Sequence, residues 1–96
     1  MACIIRVNGT KEVVTPENGT DFTLEEMYKH TKSKLIQLID LGQNGYCVVD
    51  EEGKLRGRPL NIVADTIVHG EFRGGLLSIN DPVVGDALFI SNTQIT

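Results

Sequence analysis

Apolar positions fall into short runs divided by turn-forming residues, with one helical stripe among them. Cys3-Ile4-Ile5-Arg6-Val7 is short and β-branched, Asn8-Gly9 is the dipeptide that best tolerates positive φ in a tight turn, and Lys11-Glu12-Val13-Val14-Thr15 resumes the extended pattern. An N-terminal hairpin is expected. Pro16 removes a ladder donor and ends the second strand, and Glu17-Asn18-Gly19-Thr20-Asp21 is turn chemistry throughout. Thr23-Leu24-Glu25-Glu26 is a capping box, in which the Thr23 hydroxyl can accept from the amide of Glu26 while the Glu26 carboxylate reaches back to the amide of Thr23. A helix therefore starts here. Leu24, Met27, Tyr28 and Thr31 share one face, whereas Glu25, Lys29 and Lys32 lie on the wet side.

Leu35-Ile36-Gln37-Leu38-Ile39-Asp40-Leu41 could prolong that helix or form a strand. Ser33 and the rise in β-branched content favour the strand, joined through Gly42-Gln43-Asn44-Gly45 to Tyr46-Cys47-Val48-Val49-Asp50 as a second hairpin. Asp50-Glu51-Glu52-Gly53 reads as a solvated polar turn. Asn61 is a good N-cap, and Ile62, Val63, Ala64, Ile67 and Val68 make a short helical face that Gly70 ends. Leu76-Leu77-Ser78-Ile79 suggests a short strand, Asn80-Asp81-Pro82 a break, and Gly85 to Ser91 a final strand. The whole predicts one α+β domain over residues 1–96, a mostly antiparallel sheet of about five strands with two helices packed on it.

Composition narrows the function classes. Ninety-six residues suffice for one modest core but not for a roomy internal active site, so a ligand would sit in a surface cleft or a seam between subunits. That geometry implies a homo-oligomer. A net charge of −4 argues against nucleic acid as a partner, since phosphate neutralisation dominates such affinity. Cys3 and Cys47 lie inside apolar runs and read as buried thiols of a reducing compartment. With no signal-peptide pattern and no apolar window of membrane-spanning length, the expected location is the cytoplasm, without a membrane partner.

Candidate chemistry is sparse. There is no G-x-S-x-G elbow and no phosphate-binding G-x-x-x-x-G-K-S/T loop; His30 and His69 lie near helix ends. Asp50, Glu51 and Glu52 lack the alternating spacing of a calcium loop, and Asp81 and Asp86 read as turn caps around Pro82. No catalytic residue, metal or cofactor is expected. The one place that suggests a site is the loop Gly53-Lys54-Leu55-Arg56-Gly57-Arg58, which delivers three cations to the front of the helix capped by Asn61. Lys54, Arg56, Arg58, Asn61 and, if the fold brings it near, Arg73 are the candidate ligand-binding residues, for an anionic and nucleotide-derived small molecule. The run Lys29 to Lys34 would extend the patch on the same condition. The competing reading is that these cations balance Glu51 and Glu52 in a solvated turn.

The segments F-T-L-E-E (22–26), V-V-D-E-E-G-K-L-R-G-R-P-L-N-I-V-A (48–64) and N-D-P-V-V-G-D-A-L-F (80–89) resemble, in order and spacing, a family of small bacteriophage and mobile-element proteins catalogued as a domain of unknown function. The similarity spans Asp21 to Ile90. It implies a phage or prophage setting, within a bacterial host cell, and brings no catalytic residues. Within that setting the expectation is a binding protein that sequesters a host signal, against two alternatives: an interaction inhibitor or acidic DNA mimic, and a small enzyme acting on a nucleotide.

Overall fold

The computed structural model describes residues 2–53, 55–68 and 83–94. Lys54 and Arg73 lie outside the described residues, as do His69, Gly70, the strand expected over Leu76 to Ile79 and the Asn80-Asp81-Pro82 break. The described strands are β1 (Ala2–Ile5), β2 (Lys11–Val14), β3 (Ile36–Asp40), β4 (Tyr46–Asp50) and β5 (Ala87–Ile90), and the helices are α1 (Leu24–Thr31) and α2 (Ile62–Thr66). The sheet has the order β2-β1-β5-β4-β3 and every neighbouring pair is antiparallel. This is an α+β fold with the last strand inserted between the two hairpins.

The sheet is covered on both sides, which explains why its central strands are continuous apolar runs rather than alternations. On one face Ile4, Val48, Leu88 and Ile90 pack with Phe22 and with Met27 of α1; on the other, Ile5, Ile39, Cys47, Val49 and Ala87 pack with Val83, Val68 and Ala64 of α2. Both expected helical faces are narrower than the sequence suggests. Leu24, at the first position of α1, is half-exposed, and Ile62, at the first position of α2, is 67% exposed. A first-turn side chain overhangs the end of the packed stripe, so the apolar period overstates what is buried.

Cys3 and Cys47 share a face but flank Phe89 of β5, since Cys3 pairs with Phe89 and Phe89 with Cys47. Strands two apart stand about 9–10 Å from one another, beyond the reach of a disulfide. Both thiols are free. Burial, with a smaller contribution from Cys3, pushes the Cys47 thiol far up, which leaves it unreactive.

The capping box forms as the sequence dictates. Thr23 Oγ1 accepts from the Glu26 amide at 3.2 Å, Glu26 Oε1 accepts from the Thr23 amide at 3.0 Å, and Glu26 Oε2 takes the Glu17 amide at 3.0 Å. These backbone donors, Thr23 first and Glu17 second, hold the Glu26 carboxyl below its ordinary range. His30 is shifted down as well, by burial first and the Lys29 charge second, and it meets the Phe22 ring edge-on at a 6.0 Å centroid separation. Both folded values are depressed, so each contribution is complete above the unfolded value and is lost as pH falls through the folded one. The melting temperature should therefore decline in two stages, one starting below about 6.5 and the other below about 4.3. His30→Gln should erase the first stage and Glu26→Gln should reduce the second, to which the paired Asp50 and Asp86 also contribute, in a pH series of thermal melts; a profile unchanged by both variants would refute the assignment.

Candidate functional site

The second hairpin, the loop after it and the approach to β5 form one clasp. The Arg58 amide donates to the Gly53 carbonyl at 2.9 Å, the Asn61 amide to Val83 at 2.9 Å, and the Gly85 amide to Pro59 at 2.9 Å, while Leu60 bridges Val84. The Arg58 stem fills the space that Gly53 and Gly85 leave open: a Cβ built on Gly85 would stand 2.8 Å from Arg58 Cδ. The described residues 58–61 and 83–85, drawn from two of the segments quoted from the sequence, thus rest against each other.

Within this clasp the basic loop is paired with the acidic turn. Arg58 Nε donates to Asp50 Oδ2 at 2.6 Å, and Arg56 lies 3.9 Å from the same oxygen and 3.5 Å from Glu52 Oε1. Asp50 is 4% exposed, so the expectation of a wholly solvated turn is corrected at that residue: its place at the end of a central strand buries it, and a buried carboxylate requires a cation. Glu51 is exposed as expected. Arg58 also donates through Nη2 to the carbonyl of Lys32, so the loop reaches the end of α1.

Asn61 is placed differently from a ligand-contacting residue. Its side chain is fully buried; Oδ1 accepts from the Ala64 amide at 3.0 Å, and Nδ2 donates to the carbonyls of Ile5 and Gly85, each at 2.8 Å. The N-cap forms, but the amide is spent inside the protein. The cradle imagined at this helix front is closed by its own cap, and with five residues α2 supplies little dipole.

An open cleft of about 520 Å³ lies beside the clasp, lined by Arg6, Val7, Asn8, Thr10, Glu12, Lys32 and Asp86. Asp86 is its hub. The carboxylate accepts from the Val7 amide at 3.1 Å and from Arg6 Nη1 at 3.0 Å, and Lys32 Nζ stands 3.6 Å away. Arg6 Nε donates to Glu12 at 2.7 Å; burial opposes the charge on Arg6, and the bonds to Glu12 and Asp86 outweigh it. Arg6 also reaches the His30 carbonyl at 3.3 Å.

Lys32 joins the two clusters. It ends α1 in the left-handed region at φ 55°, and among the described residues no other non-glycine has positive φ. The Lys32 amide donates to the Lys29 carbonyl and the Ser33 amide to that of Tyr28, the double bond pattern in which this corner prefers glycine. A lysine here bears a conformational cost yet places its ammonium at the cleft and its carbonyl under Arg58.

Of the predicted residues, Arg58 reaches the Lys32 carbonyl and Arg56 shares Asp50 with Arg58; from the run Lys29 to Lys34 it is Lys32 that lines the cleft. Arg6 and Asp86 were not singled out as binding residues, because 80 positions separate them and their meeting depends on β5 lying beside β1. Among the described residues, no group of three or more His, Cys, Asp or Glu side chains could hold a metal ion, and no helix is long and apolar enough to cross a membrane. Comparison of the chain with protein-family models, with curated proteins and with solved structures gives no match.

Proposed function

We propose that this is a non-catalytic binding protein of bacteriophage type that sequesters an anionic, nucleotide-derived signal in the cleft between Arg6 and Lys32, with Arg56 and Arg58 on its flank. The phage setting rests on the resemblance of its three sequence segments. The ligand class rests on charge and size. Arg6, Lys32 and Arg58 form one connected series, which Arg56 joins through Asp50, and the cleft volume of about 520 Å³ falls within the range of small-molecule sites. Their carboxylate partners hold the guanidinium planes in place while leaving further N–H donors of each fork for phosphate oxygens. The observation that carries the reading is the strained Lys32: a position that favours glycine keeps a cation facing the cleft.

Lys32→Gly tests this directly, because relief of the left-handed lysine should stabilise the fold by about 1 kcal/mol. Loss of binding could not then be attributed to unfolding. Titration calorimetry against mononucleotides and cyclic dinucleotides should give an affinity that weakens with salt and drops at least tenfold in Lys32→Gly and in Arg56→Ala. Equal binding by all three proteins at every salt concentration would refute the reading, and turnover of the bound compound would move it to the enzyme class. A protein-interaction inhibitor is the second reading, favoured by Leu55 at 88% and Ile62 at 67% exposure, both within the segment 48–64. It would gain from an absence of heat across the whole nucleotide panel.

A further inference from the structure

The two outer strands of the sheet are not alike. β2 is four residues long, begins with Lys11-Glu12 and is followed by Thr15-Pro16, which are the usual devices that keep an edge from pairing. β3 is longer, has no proline near it and carries a single charge, Asp40, at its end. Its sequence is Ile36-Gln37-Leu38-Ile39-Asp40, with Leu38 41% exposed and Leu35, just before it, 47% exposed. The Leu41 amide donates to Gly45 and the Glu51 amide to Leu35, which fixes the odd-numbered positions as those bonded to β4. By the alternation of an antiparallel ladder, Ile36, Leu38 and Asp40 direct their amides and carbonyls to the side on which, among the described residues, no strand pairs with β3.

We propose that this edge is the interface with a second copy of the chain, β3 pairing antiparallel with its counterpart about a two-fold axis at Gln37. In that register Ile36 lies opposite Leu38 of the second copy and the reverse, which forms about four main-chain hydrogen bonds and joins the two α1-side cores at their margins. Carried beyond the strand, the same register sets Lys34 opposite Asp40 at both ends. The charges are opposite in sign, and among the described residues Lys34 has no ion pair within its own chain. Gln37 meets its own copy on the axis in a non-hydrogen-bonded pair, where side chains approach most closely. Shifting the register so that Leu38 sits on the axis would place Ile36 against Asp40 and leave Lys34 unopposed, so charge and apolar matching select the Gln37 axis. The product joins the five described strands of each copy into one continuous sheet, a closed isologous dimer whose clefts at Arg6 and Lys32 remain outside the contact.

Sedimentation equilibrium of the full chain should show a monomer–dimer equilibrium. Leu38→Lys, which sets a charge against Ile36 of the other copy, should weaken it by about 100-fold. Mild oxidation of Gln37→Cys should give a covalent dimer, and Lys34→Cys, whose copies lie at opposite ends, should not; wild-type protein controls for Cys3. Folding of each variant is checked by its thermal melt. A chain that stays monomeric at millimolar concentration, a dimer insensitive to Leu38→Lys, or cross-linking at Lys34→Cys in preference to Gln37→Cys would each overturn the proposal. So would recovery of the edge paired with a foreign extended peptide in a protein that never self-associates.

Discussion

Asn61→Asp is expected to destabilise the protein by about 4 kcal/mol, although it exchanges a single NH₂ group for oxygen. The retained oxygen can still cap α2 by accepting from the Ala64 amide. The other oxygen would face the Ile5 and Gly85 carbonyls, both at 2.8 Å from the present Nδ2, with no proton to offer either of them. Two buried acceptors would lose their donor and a buried charge would gain two repulsive dipoles. A chain of this length has a total stability of about 5–14 kcal/mol, so the variant would be near the edge of folding. Asn61→Ser, which keeps the cap and leaves the two carbonyls merely unpaired, should cost about 2–3 kcal/mol. The ordering is measurable by urea denaturation. Because protonation restores one donor to the introduced carboxyl, the gap between Asn61→Asp and the wild type should narrow as pH falls. An Asn61→Asp loss below about 1 kcal/mol would mean that the amide does not hold both carbonyls.

The same residue shows where sequence reading stops. That Asn61 caps a helix is legible, because the capped amide lies three residues away. Its two interior donations reach across 56 and 24 positions, and no local pattern encodes them. The Thr23–Glu26 box and the hairpin of β3 with β4 were legible for the same reason, each being closed by neighbours in the chain. The place of β5 between β1 and β4 was not, since it is set by the mutual fit of three apolar strands. One signal was present: Cys47-Val48-Val49 and Ala87-Leu88-Phe89-Ile90 do not alternate, which marks strands covered on both faces. The basic loop was legible as a cluster of charge, and the competing reading that Glu51 and Glu52 balance it holds for the Arg56–Glu52 pair; the buried partner, Asp50, was not legible. Asp50 looks like the first acid of a polar turn until β4 is seen to bury it beneath Arg58. In three dimensions the turn's arginines are held by Asp50 and Glu52, and Arg58 also bonds the Lys32 carbonyl at the end of α1.

Gly45→Ala is the second substitution with a large expected effect, and it probes how tightly β4 meets the inserted strand. Gly45 leads into β4 at φ 92°, a conformation that L side chains rarely adopt. A Cβ there would lie 2.0 Å from the Ile90 carbonyl oxygen and 2.9 Å from Ser91 Cα, main-chain atoms that cannot swing aside as a side chain would. Relief requires β4 and β5 to separate where Tyr46 pairs with Ile90, at the margin of the core beneath α1. Strained backbone and forced overpacking each contribute about 1–3 kcal/mol, so a loss of about 4 kcal/mol is expected. Gly19→Ala separates the two contributions: φ there is 83°, yet nothing lies within 4 Å of the added methyl, and the loss should be about 1 kcal/mol. Equal losses at the two glycines, measured by chemical denaturation under one condition, would show that β4 and β5 have room to part and that the register around Ile90 is looser than its hydrogen bonds imply. A fourfold difference would locate the strain at the junction of the inserted strand, with the arginine-bearing loop unaffected at the opposite end of β4.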